Sequence, residues 1–423
     1  MSQLPVIIIG AGIGGLVTAL SLHAAGYECA IYESVSEIKA LGVGINLLPH
    51  ATRELDELGI LERLIDVSVQ PTTLRYFTRR GQSIWSEARG QAAGYRWPQL
   101  SIHRGVLQQT LLDITRERIG AQHIHTGYHL SNLVSDERSA TATFCAGRRG
   151  PHLASVHGSM VIAADGIHSV ARALRYPDEG MPRWNGALLW RGTAEIDPLF
   201  DGRTMLWAGH PDHKFVGYPI RDLPNGKQLF NFIAEFRTDD LELAEREDWN
   251  QPGVLSDFID RFEDWRFDWL DVPALIRSAP GTYRFPMVDR DPLPRWTFGR
   301  TTLLGDAAHP MYPIGSNGAS QAILDARVLV GCLQSYPNDA MQALVRYDEV
   351  RRPATARIVL ANRGFGPEMP MKLVEERAPN GFMSIEDVIT PDEILQVTEG
   401  YRATAGFALK ELNDGVSLAT PRY

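Results

Sequence analysis

Two glycine-rich stretches, almost three hundred residues apart, have the spacing of anion-binding loops. The first, GAGIGG at residues 10–15, lies between an apolar run and a segment typical of a buried helix. There Gly10 permits a tight turn, Gly12 lets the backbone approach a pyrophosphate, and Gly15 lets the helix pack on the strand. Glu33 ends the next predicted strand, where a carboxylate binds an adenosine ribose. This stretch predicts a dinucleotide site and leaves open whether the ligand is NAD or FAD.

The second stretch, GDAAHPMYPIGSNGAS at residues 305–320, follows the apolar strand TTLL. Asp306 is placed to bind a polyhydroxyl chain, and Pro313, Gly315 and Gly318 form a loop before a predicted helix. A helix that begins at Ala319 directs its N–H groups and positive end at a delocalised anion, such as a reduced isoalloxazine. A simple NAD dehydrogenase has no need of this loop. An extended FAD does, because its AMP end would bind the first loop and its ribityl and flavin end the second.

A third stretch, MVIAADGIHSVAR at residues 160–172, is a buried strand followed by a turn. Asp165 ends the strand, Gly166 releases the chain, and Ser169 and Arg172 are one helical turn apart. By itself this pattern is as typical of a capped helix start as of a ligand-binding turn.

The elements that position these loops are of two kinds, and we expect the fold class to be α/β. The first strand, helix and second strand form a βαβ unit of a doubly wound, Rossmann-like sheet. Alternating segments predict a separate antiparallel sheet, whose last strand carries Phe230, Phe232, Ala234 and Phe236 on one face. We therefore predict discontinuous domains: an FAD-binding domain (1–72, 98–180 and 282–360), a substrate-binding antiparallel-sheet domain (73–97 and 181–281), and a helical C-terminal tail (361–423).

Composition excludes several other classes of protein. A net charge of −9 and a pI near 5.8 give no general attraction for nucleic acid or anionic membranes. Three scattered cysteines without CxxC spacing argue against a disulfide framework or a structural zinc site, and we expect no metal. The apolar run at residues 5–27 is long enough for a membrane span, but its clustered glycines favour strand, turn and helix. The cytoplasm is the expected compartment, and the expected state is monomer or homodimer.

Together, GAGIGG with Glu33, DGIHSVAR and LLGDAAHPMYPIGSNGAS resemble the single-component FAD-dependent aromatic hydroxylases, the group of p-hydroxybenzoate and salicylate hydroxylases. The segments LGVGIN, SIHRG, PMVDRDPLP and YPIGSNGASQAILD are most similar to the phenazine monooxygenase subfamily of pyocyanin biosynthesis. The family loop ends in G-x-x-G-x-N, and Ser320 stands here in place of the asparagine. The resemblance spans residues 5 to about 360.

This resemblance implies roles for individual residues. Arg104 would contact the FAD phosphates or ribityl chain, although a surface arginine is the alternative. Asp165 would support the pyrophosphate region, Asp306 would bind the ribityl chain, and Val43 would flank the isoalloxazine. The remaining cofactor residues lie in or beside the two glycine loops: Gly10, Gly12, Ile13, Gly14, Gly15, Glu33, Ser34, Pro313, Gly315, Gly318 and Ala319.

The resemblance also implies the reaction. NAD(P)H, either NADH or NADPH, would reduce FAD, dioxygen would add at the flavin C4a to give a hydroperoxide, and its distal oxygen would hydroxylate an aromatic or N-heteroaromatic ring. Decarboxylation would follow where the attacked carbon bears a carboxylate. The alternatives are a flavin-dependent halogenase, whose WxWxIP run is absent, another flavin oxidoreductase, and a non-catalytic FAD-fold protein.

Residues of the substrate side are predicted less directly. We expect Trp190, Tyr218, Met311 and Tyr312 to line the pocket, with core packing as the alternative for each. Three residues are candidates for chemistry: Pro313, Arg191 and His309. Arg191 is suited to a substrate carboxylate or to a salt bridge, and the salt bridge is favoured. His309 is suited to general base catalysis or to a structural hydrogen bond, and the hydrogen bond is favoured.

Overall fold

A computed structural model describes residues 4–239 and 252–421 of the 423-residue chain. Its strands are β1 (Val6–Ile9), β2 (Cys29–Glu33), β3 (Gly44–Leu47), β4 (Thr73–Phe77), β5 (Ser83–Ala88), β6 (Leu100–His103), β7 (Ile124–Thr126), β8 (Tyr128–Ser135), β9 (Ala140–Ala146), β10 (His152–Gly158), β11 (Met160–Ala163), β12 (Arg183–Ile196), β13 (Thr204–His210), β14 (His213–Asp222), β15 (Gln228–Arg237), β16 (Pro252–Gly253), β17 (Arg266–Phe267), β18 (Leu270–Asp271), β19 (Thr282–Asp289), β20 (Thr297–Phe298) and β21 (Thr301–Leu303). Its α-helices are α1 (Ile13–Ala24), α2 (Pro49–Glu57), α3 (Leu61–Ile65), α4 (Arg104–Ile119), α5 (Val170–Arg175), α6 (Val272–Ser278), α7 (Gly318–Ser335), α8 (Ala340–Arg363), α9 (Met369–Arg377), α10 (Pro391–Ala405) and α11 (Leu409–Asp414).

A six-stranded sheet in the order β20-β21-β11-β1-β2-β7 carries the two glycine-rich loops. Its central strands pair in parallel, and β1 is buried along its whole length, as its apolar run predicts. Helix α1 packs against α4 and α7. Because parallel strands end at the same edge, the loops after β1 and β21 open on one side of the sheet, as in doubly wound folds.

The charge-poor run at residues 5–27 is thus a strand and a helix, as expected. Throughout the described part of the chain, every helix is too short or too polar to cross a bilayer.

An eight-stranded sheet in the order β16-β19-β12-β15-β14-β13-β4-β5 forms the second layer of the fold. Its pairs are antiparallel except β13 with β4. One face carries the predicted row of Phe230, Phe232, Ala234 and Phe236, which packs against residues 258–276. The opposite face looks toward the glycine-rich loops. The aromatic row is therefore core, and the less aromatic face forms the roof of the cleft.

The pairing in the large sheet also shows at which residues the chain crosses from one sheet to the other. Strand β19 pairs with β12, so the predicted domain boundary at residue 282 falls inside this sheet. A three-stranded sheet, β10-β9-β8, was not predicted from the sequence. The domain limits stay a prediction.

The C-terminal region is helical, as predicted, and packs against the rest of the chain. Helix α10 begins with a capping box between Thr390 and Glu393 and contacts α8. Helix α9 contacts β13 of the large sheet. The tail thus packs on both α8 and the large sheet.

Candidate active site

The first glycine loop is shaped by close backbone packing. A Cβ atom on Gly15 would lie 2.0 Å from the Gly10 carbonyl oxygen, and one on Gly10, whose φ is +99°, would lie 2.5 Å from the Ala164 oxygen. A Cβ atom on Gly12 would meet nothing within 4 Å. Helix α1 begins at Ile13 without a side-chain cap. The N–H groups of its first turn are therefore left for a ligand in the cleft.

Glu33 fixes this loop from the end of β2. Its Oε2 atom accepts a hydrogen bond from the Ala11 N–H at 2.7 Å. Its Oε1 atom accepts from the Ser34 hydroxyl at 2.9 Å and from the Val35 N–H at 3.0 Å. The carboxylate therefore sits beside the loop, where the sequence places a ribose ligand.

The second glycine loop is held by the tail. Gly315 has a φ of +71°, and a Cβ atom there would lie 2.2 Å from the Tyr401 hydroxyl. That hydroxyl donates to the Ile314 carbonyl at 3.2 Å. Helix α7 then begins at Gly318 without a side-chain cap, and Ser320 accepts a hydrogen bond from the Leu48 N–H at 3.1 Å. The loop therefore presents a second uncapped helix N-terminus to the cleft.

Asp306 lies at the floor of the cleft, with its side chain exposed to the cavity. Surrounding protein raises the pKa of its carboxyl, while the charges of His309 and Arg104 oppose that effect. Within the described residues no donor is hydrogen-bonded to this carboxylate. A polyhydroxyl chain bound in the cleft would supply the missing donors.

The cavity between the sheets is lined by both glycine loops and by the roof. Arg104 contributes from α4, and Met311, Pro313 and Ala319 contribute from the second loop. The apolar part of the roof comes from alternate positions of the large sheet: Leu189, Trp207, Val216, Ile233 and Met287.

Arg191 brings a positive charge into this roof. Its Nη2 atom donates to the Gly44 carbonyl at 2.7 Å, and Tyr218 lies beside the guanidinium. Burial lowers the pKa of the guanidinium, although Tyr218 opposes this. Its Nε atom is buried without a partner, and no carboxylate among residues 4–239 and 252–421 forms an ion pair with it. The favoured salt bridge is therefore not found in the described part of the chain.

A second polar group lines the cavity farther along the same face. The Lys214 Nζ atom lies 2.6 and 2.7 Å from the two carboxylate oxygens of Glu368, and 3.2 Å from Glu235. All three side chains are at least 95% buried. Burial raises the pKa of Glu235 to about 7, Lys214 opposes this, and Glu368 adds to it.

His309 lies beneath the second loop in a buried ionic cluster. Its Nε2 atom is 2.5 Å from Asp325 Oδ2, and the Asp325 Oδ1 atom accepts from Arg351 Nε at 2.6 Å. Asp325 also accepts from the Gly305 N–H at 3.0 Å. His309 thus supports the loop, which is the structural alternative favoured from the sequence, and it does not line the cavity.

We expect Asp325→Asn to lower the free energy of unfolding in a pH-dependent way. Burial acts to raise the pKa of Asp325, but His309 and Arg351 outweigh it and hold the pKa at about 2, below the ordinary 3.8. The ionised form therefore stabilises the fold above about pH 4, and this contribution, ~2 kcal/mol, is lost as pH falls through 2. Urea unfolding of both proteins should show a gap that narrows from about pH 7 to about pH 3. A gap of constant size would contradict this assignment.

Asp165 caps helix α5 and does not line the cavity. Its carboxylate accepts hydrogen bonds from the Ser169 hydroxyl at 2.5 Å and from the Val170 N–H at 2.8 Å. The Ser169 hydroxyl in turn accepts from the Arg172 N–H at 2.9 Å. Arg172 is buried and donates to the carbonyls of residues 307 and 308 at 3.2 and 2.9 Å. The third stretch therefore positions the second glycine loop from below.

Comparison with known proteins decides the family. Residues 3–189 and 282–362 match the family described as FAD binding domain, which is more than half of the chain. The chain belongs to the FAD-binding domain family.

Relatives of this FAD-binding domain protein are aromatic hydroxylases. It is 42% identical over 366 residues to phenazine 1,6-dicarboxylic acid hydroxylase of Lysobacter antibioticus, covering 86% of this chain and 90% of that one. It is 32% identical to 3-amino-4-hydroxybenzoate 2-monooxygenase of Streptomyces platensis, covering 88% and 91%. Klebsiella pneumoniae HpxO, solved with FAD and uric acid, shares the fold with a TM-score of 0.74 at 24% identity, over 96% and 97% of the two chains. The predicted fold, FAD cofactor and FAD-dependent monooxygenase class are confirmed.

The chain's residues fit FAD. Two uncapped helix N-termini and the Asp306 carboxylate face one continuous cleft. Of the predicted cofactor residues, the structure brings these to the cavity lining: Gly12, Ile13, Gly14, Arg104, Asp306, Pro313, Gly318 and Ala319. Others lie in the loops or beneath them: Gly10, Gly15, Glu33, Ser34, Val43, Asp165 and Gly315. The carbonyl oxygen of Val43 accepts from the Arg104 N–H at 2.8 Å, and Gly44 beside it lines the cavity.

Of the predicted substrate residues, Tyr218 and Met311 line the cavity. Trp190 does not, because it points to the opposite face of β12 and stacks between Phe236 and Phe258 with ring centroids 4.8 and 5.0 Å away. Tyr312 also points away, into a separate pocket beside Arg363. For both residues the core-packing alternative describes the placement.

Several cavity residues were not identified from the sequence. They are Trp207, Val216, Ile233 and Met287 of the roof, and the charged group of Lys214, Glu235 and Glu368. The alternation of FVGYPI and KQLFNFIAEFR contains the signal for the roof, since Val216 and Tyr218 share one face of β14 and pair with Ile233 and Asn231.

Proposed function

We propose that this protein is an FAD-dependent monooxygenase that uses NAD(P)H and dioxygen to hydroxylate an aromatic or N-heteroaromatic carboxylic acid. The observation that carries the acid as substrate class is Arg191, a half-buried cation in the cavity roof with a buried, unpartnered Nε atom and no ion pair within the described residues. A half-buried charge of this kind is stabilised when a carboxylate binds it. The cytoplasm and the monomer or homodimer state stay predictions.

FAD, when bound, stores the electrons of NAD(P)H and activates dioxygen. The chain's own residues hold it: the N–H groups of α1 would bind the pyrophosphate, and Asp306 the ribityl hydroxyls. The N-terminus of α7 would stabilise negative charge on the reduced flavin ring.

The roof would hold the substrate over that ring. Arg191 and Tyr218 bind the carboxylate end, and apolar contacts from Val216, Ile233 and Met287 hold the aromatic body. Fixing both reactants in one cavity raises the effective concentration of the ring at the reacting oxygen. The same apolar surface excludes water, which protects the activated oxygen from unproductive decay.

A panel of aromatic acids tests the proposal. Each acid is added to the purified yellow protein with NADH or NADPH, and a matched panel of the corresponding primary amides serves as the control. We expect the acids to stimulate NAD(P)H oxidation at least about tenfold more than the amides, because only the acids pair with Arg191. Mass spectrometry of the product should show the gain of an oxygen atom, with or without loss of the carboxylate. Equal stimulation by amides would contradict the acid as substrate class.

A further inference from the structure

The group of Lys214, Glu235 and Glu368 lies in the same cavity as Arg191. It is assembled from three elements: Lys214 from β14, Glu235 from the neighbouring β15, and Glu368 from the turn before α9. Each side chain contributes to the cavity lining although at least 95% of its surface is buried. A group placed in this way faces whatever molecule fills the roof side of the cavity.

The group contains more negative than positive charge. One ammonium serves two carboxylates, and it contacts both oxygens of Glu368 but approaches Glu235 only at 3.2 Å. A buried carboxylate with so little compensation is costly unless it gains a proton or a hydrogen-bond donor. Glu235 is therefore the member of the group that a ligand can still satisfy.

The register of the sheet sets the distance between the two polar ends of the cavity. Lys214 and Tyr218 lie four residues apart on the same face of β14, and Val216 lies between them. Their Cα atoms are therefore roughly 13 Å apart. Lys214 pairs with Glu235, and Val216 pairs with Ile233. Arg191 pairs with Ile233 from the other side, so Arg191 and Glu235 are diagonal neighbours on adjacent strands, with Cα atoms roughly 8 Å apart. Spacings of roughly 8 Å from Arg191 and roughly 13 Å from Tyr218 suit a flat, fused aromatic ring system with a polar group at each end.

We propose that Glu235, held by Lys214 and Glu368, is a specificity-determining residue that accepts a hydrogen bond from a hydroxyl or N–H group of the substrate, at the end remote from the carboxylate bound by Arg191. This assignment rests on the proposed function, since it places the carboxylate at Arg191. It also makes Glu368, and with it the C-terminal tail, part of the substrate site. Glu235 acts on binding and not on the reacting atoms.

The test compares two ligands and two variants. The ligands are a naphthoate with a hydroxyl on the ring remote from its carboxylate, and the unsubstituted naphthoate. Dissociation constants are measured on the FAD-loaded protein from the change in flavin absorbance. We expect Glu235→Gln to weaken binding of the hydroxynaphthoate about tenfold and that of naphthoate less than about twofold. The control is Glu376→Gln, which removes an exposed carboxylate of α9 and should change neither constant.

The outcomes separate the two hypotheses. If wild-type protein binds neither acid, the proposed substrate class is overturned. If it binds both and Glu235→Gln changes the two constants equally, the specificity role is overturned and the substrate class is not. Flavin content and thermal unfolding show whether the variant is folded.

A measurement on the wild-type protein covers the case in which the variant does not fold. Since the pKa of Glu235 is about 7, the hydroxynaphthoate should bind more tightly as pH rises from about 6 to about 8, relative to naphthoate. The charged groups around Glu235 are Lys214, Glu368 and Arg237; Lys214 and Arg237 act to lower the pKa of Glu235, and Glu368 acts to raise it. A ratio of the two dissociation constants that is independent of pH would overturn the proposal.

Discussion

Asp306→Ala should yield a protein that is purified without FAD. The Asp306 carboxylate faces the cleft, and no described donor satisfies it, so its hydrogen bonds are available to the ribityl hydroxyls. Each such bond to a charged acceptor contributes roughly 1.5–3 kcal/mol. The loss of two of them should therefore weaken FAD binding roughly a hundredfold or more. Flavin content is measured as the ratio of the visible flavin absorbance of the purified protein to its ultraviolet protein absorbance.

The control for this variant is Asp113→Ala, which removes an exposed carboxylate that pairs with Arg116 on α4. It should be purified yellow, with the wild-type flavin content. If Asp306→Ala were equally yellow, Asp306 would not bind the ribityl chain, and the position of FAD in the cleft would need revision.

Arg191→Met should raise the KM for the aromatic acid roughly a hundredfold. Methionine keeps the length and apolar stem of the side chain but removes the charge that would pair with the substrate carboxylate. Loss of a charge-assisted hydrogen bond in a buried site costs about 2–3 kcal/mol, which corresponds to that factor. The KM is measured from acid-stimulated NAD(P)H oxidation at saturating NAD(P)H.

Arg203→Met is the matched control. Arg203 lies in the turn directly before β13 of the same sheet, but its side chain is 39% exposed and pairs with Asp222 at 2.8 Å. This change should leave the KM within about twofold of the wild type, because exposed ion pairs contribute little. A KM for Arg191→Met as small as that of the control would contradict the role of Arg191.

The glycine loops could be predicted because their chemistry is local. Gly10 and Gly15 have a backbone neighbour too close for any Cβ atom, so spacing alone specifies them. The acid and the helix that complete each loop follow within a short stretch of sequence. The family resemblance depends on the same local features, which is why fold, cofactor and enzyme class could be identified without the structure.

The roof of the cavity could be predicted only in part, because both faces of the large sheet are buried. In the run ALLWRG, Trp190 and Arg191 point to opposite faces of the sheet. Apolar residues occur on both faces, so the sequence pattern does not show which face lines the cleft and which packs in the core. Trp190 was predicted to line the pocket because it is aromatic, but it lies on the core face. Tyr218 was chosen on the same ground, and it lies on the cleft face.

Contacts between distant segments could not be predicted from local patterns. Glu368 meets Lys214 across 154 residues of sequence, and Tyr401 meets Ile314 across 87. Nothing in the polar tail marks these two residues among its many others. Their roles follow only from the packing of the tail on the cleft.

The measurement that tests the account most directly follows the oxygen atom. The FAD-loaded protein is supplied with NAD(P)H, a stimulating aromatic acid and dioxygen enriched in the heavy isotope, and the product is weighed by mass spectrometry. We expect one labelled oxygen atom in each hydroxylated ring, with one NAD(P)H consumed for each product formed. An unlabelled product, or NAD(P)H oxidation that yields hydrogen peroxide alone with every acid, would contradict it.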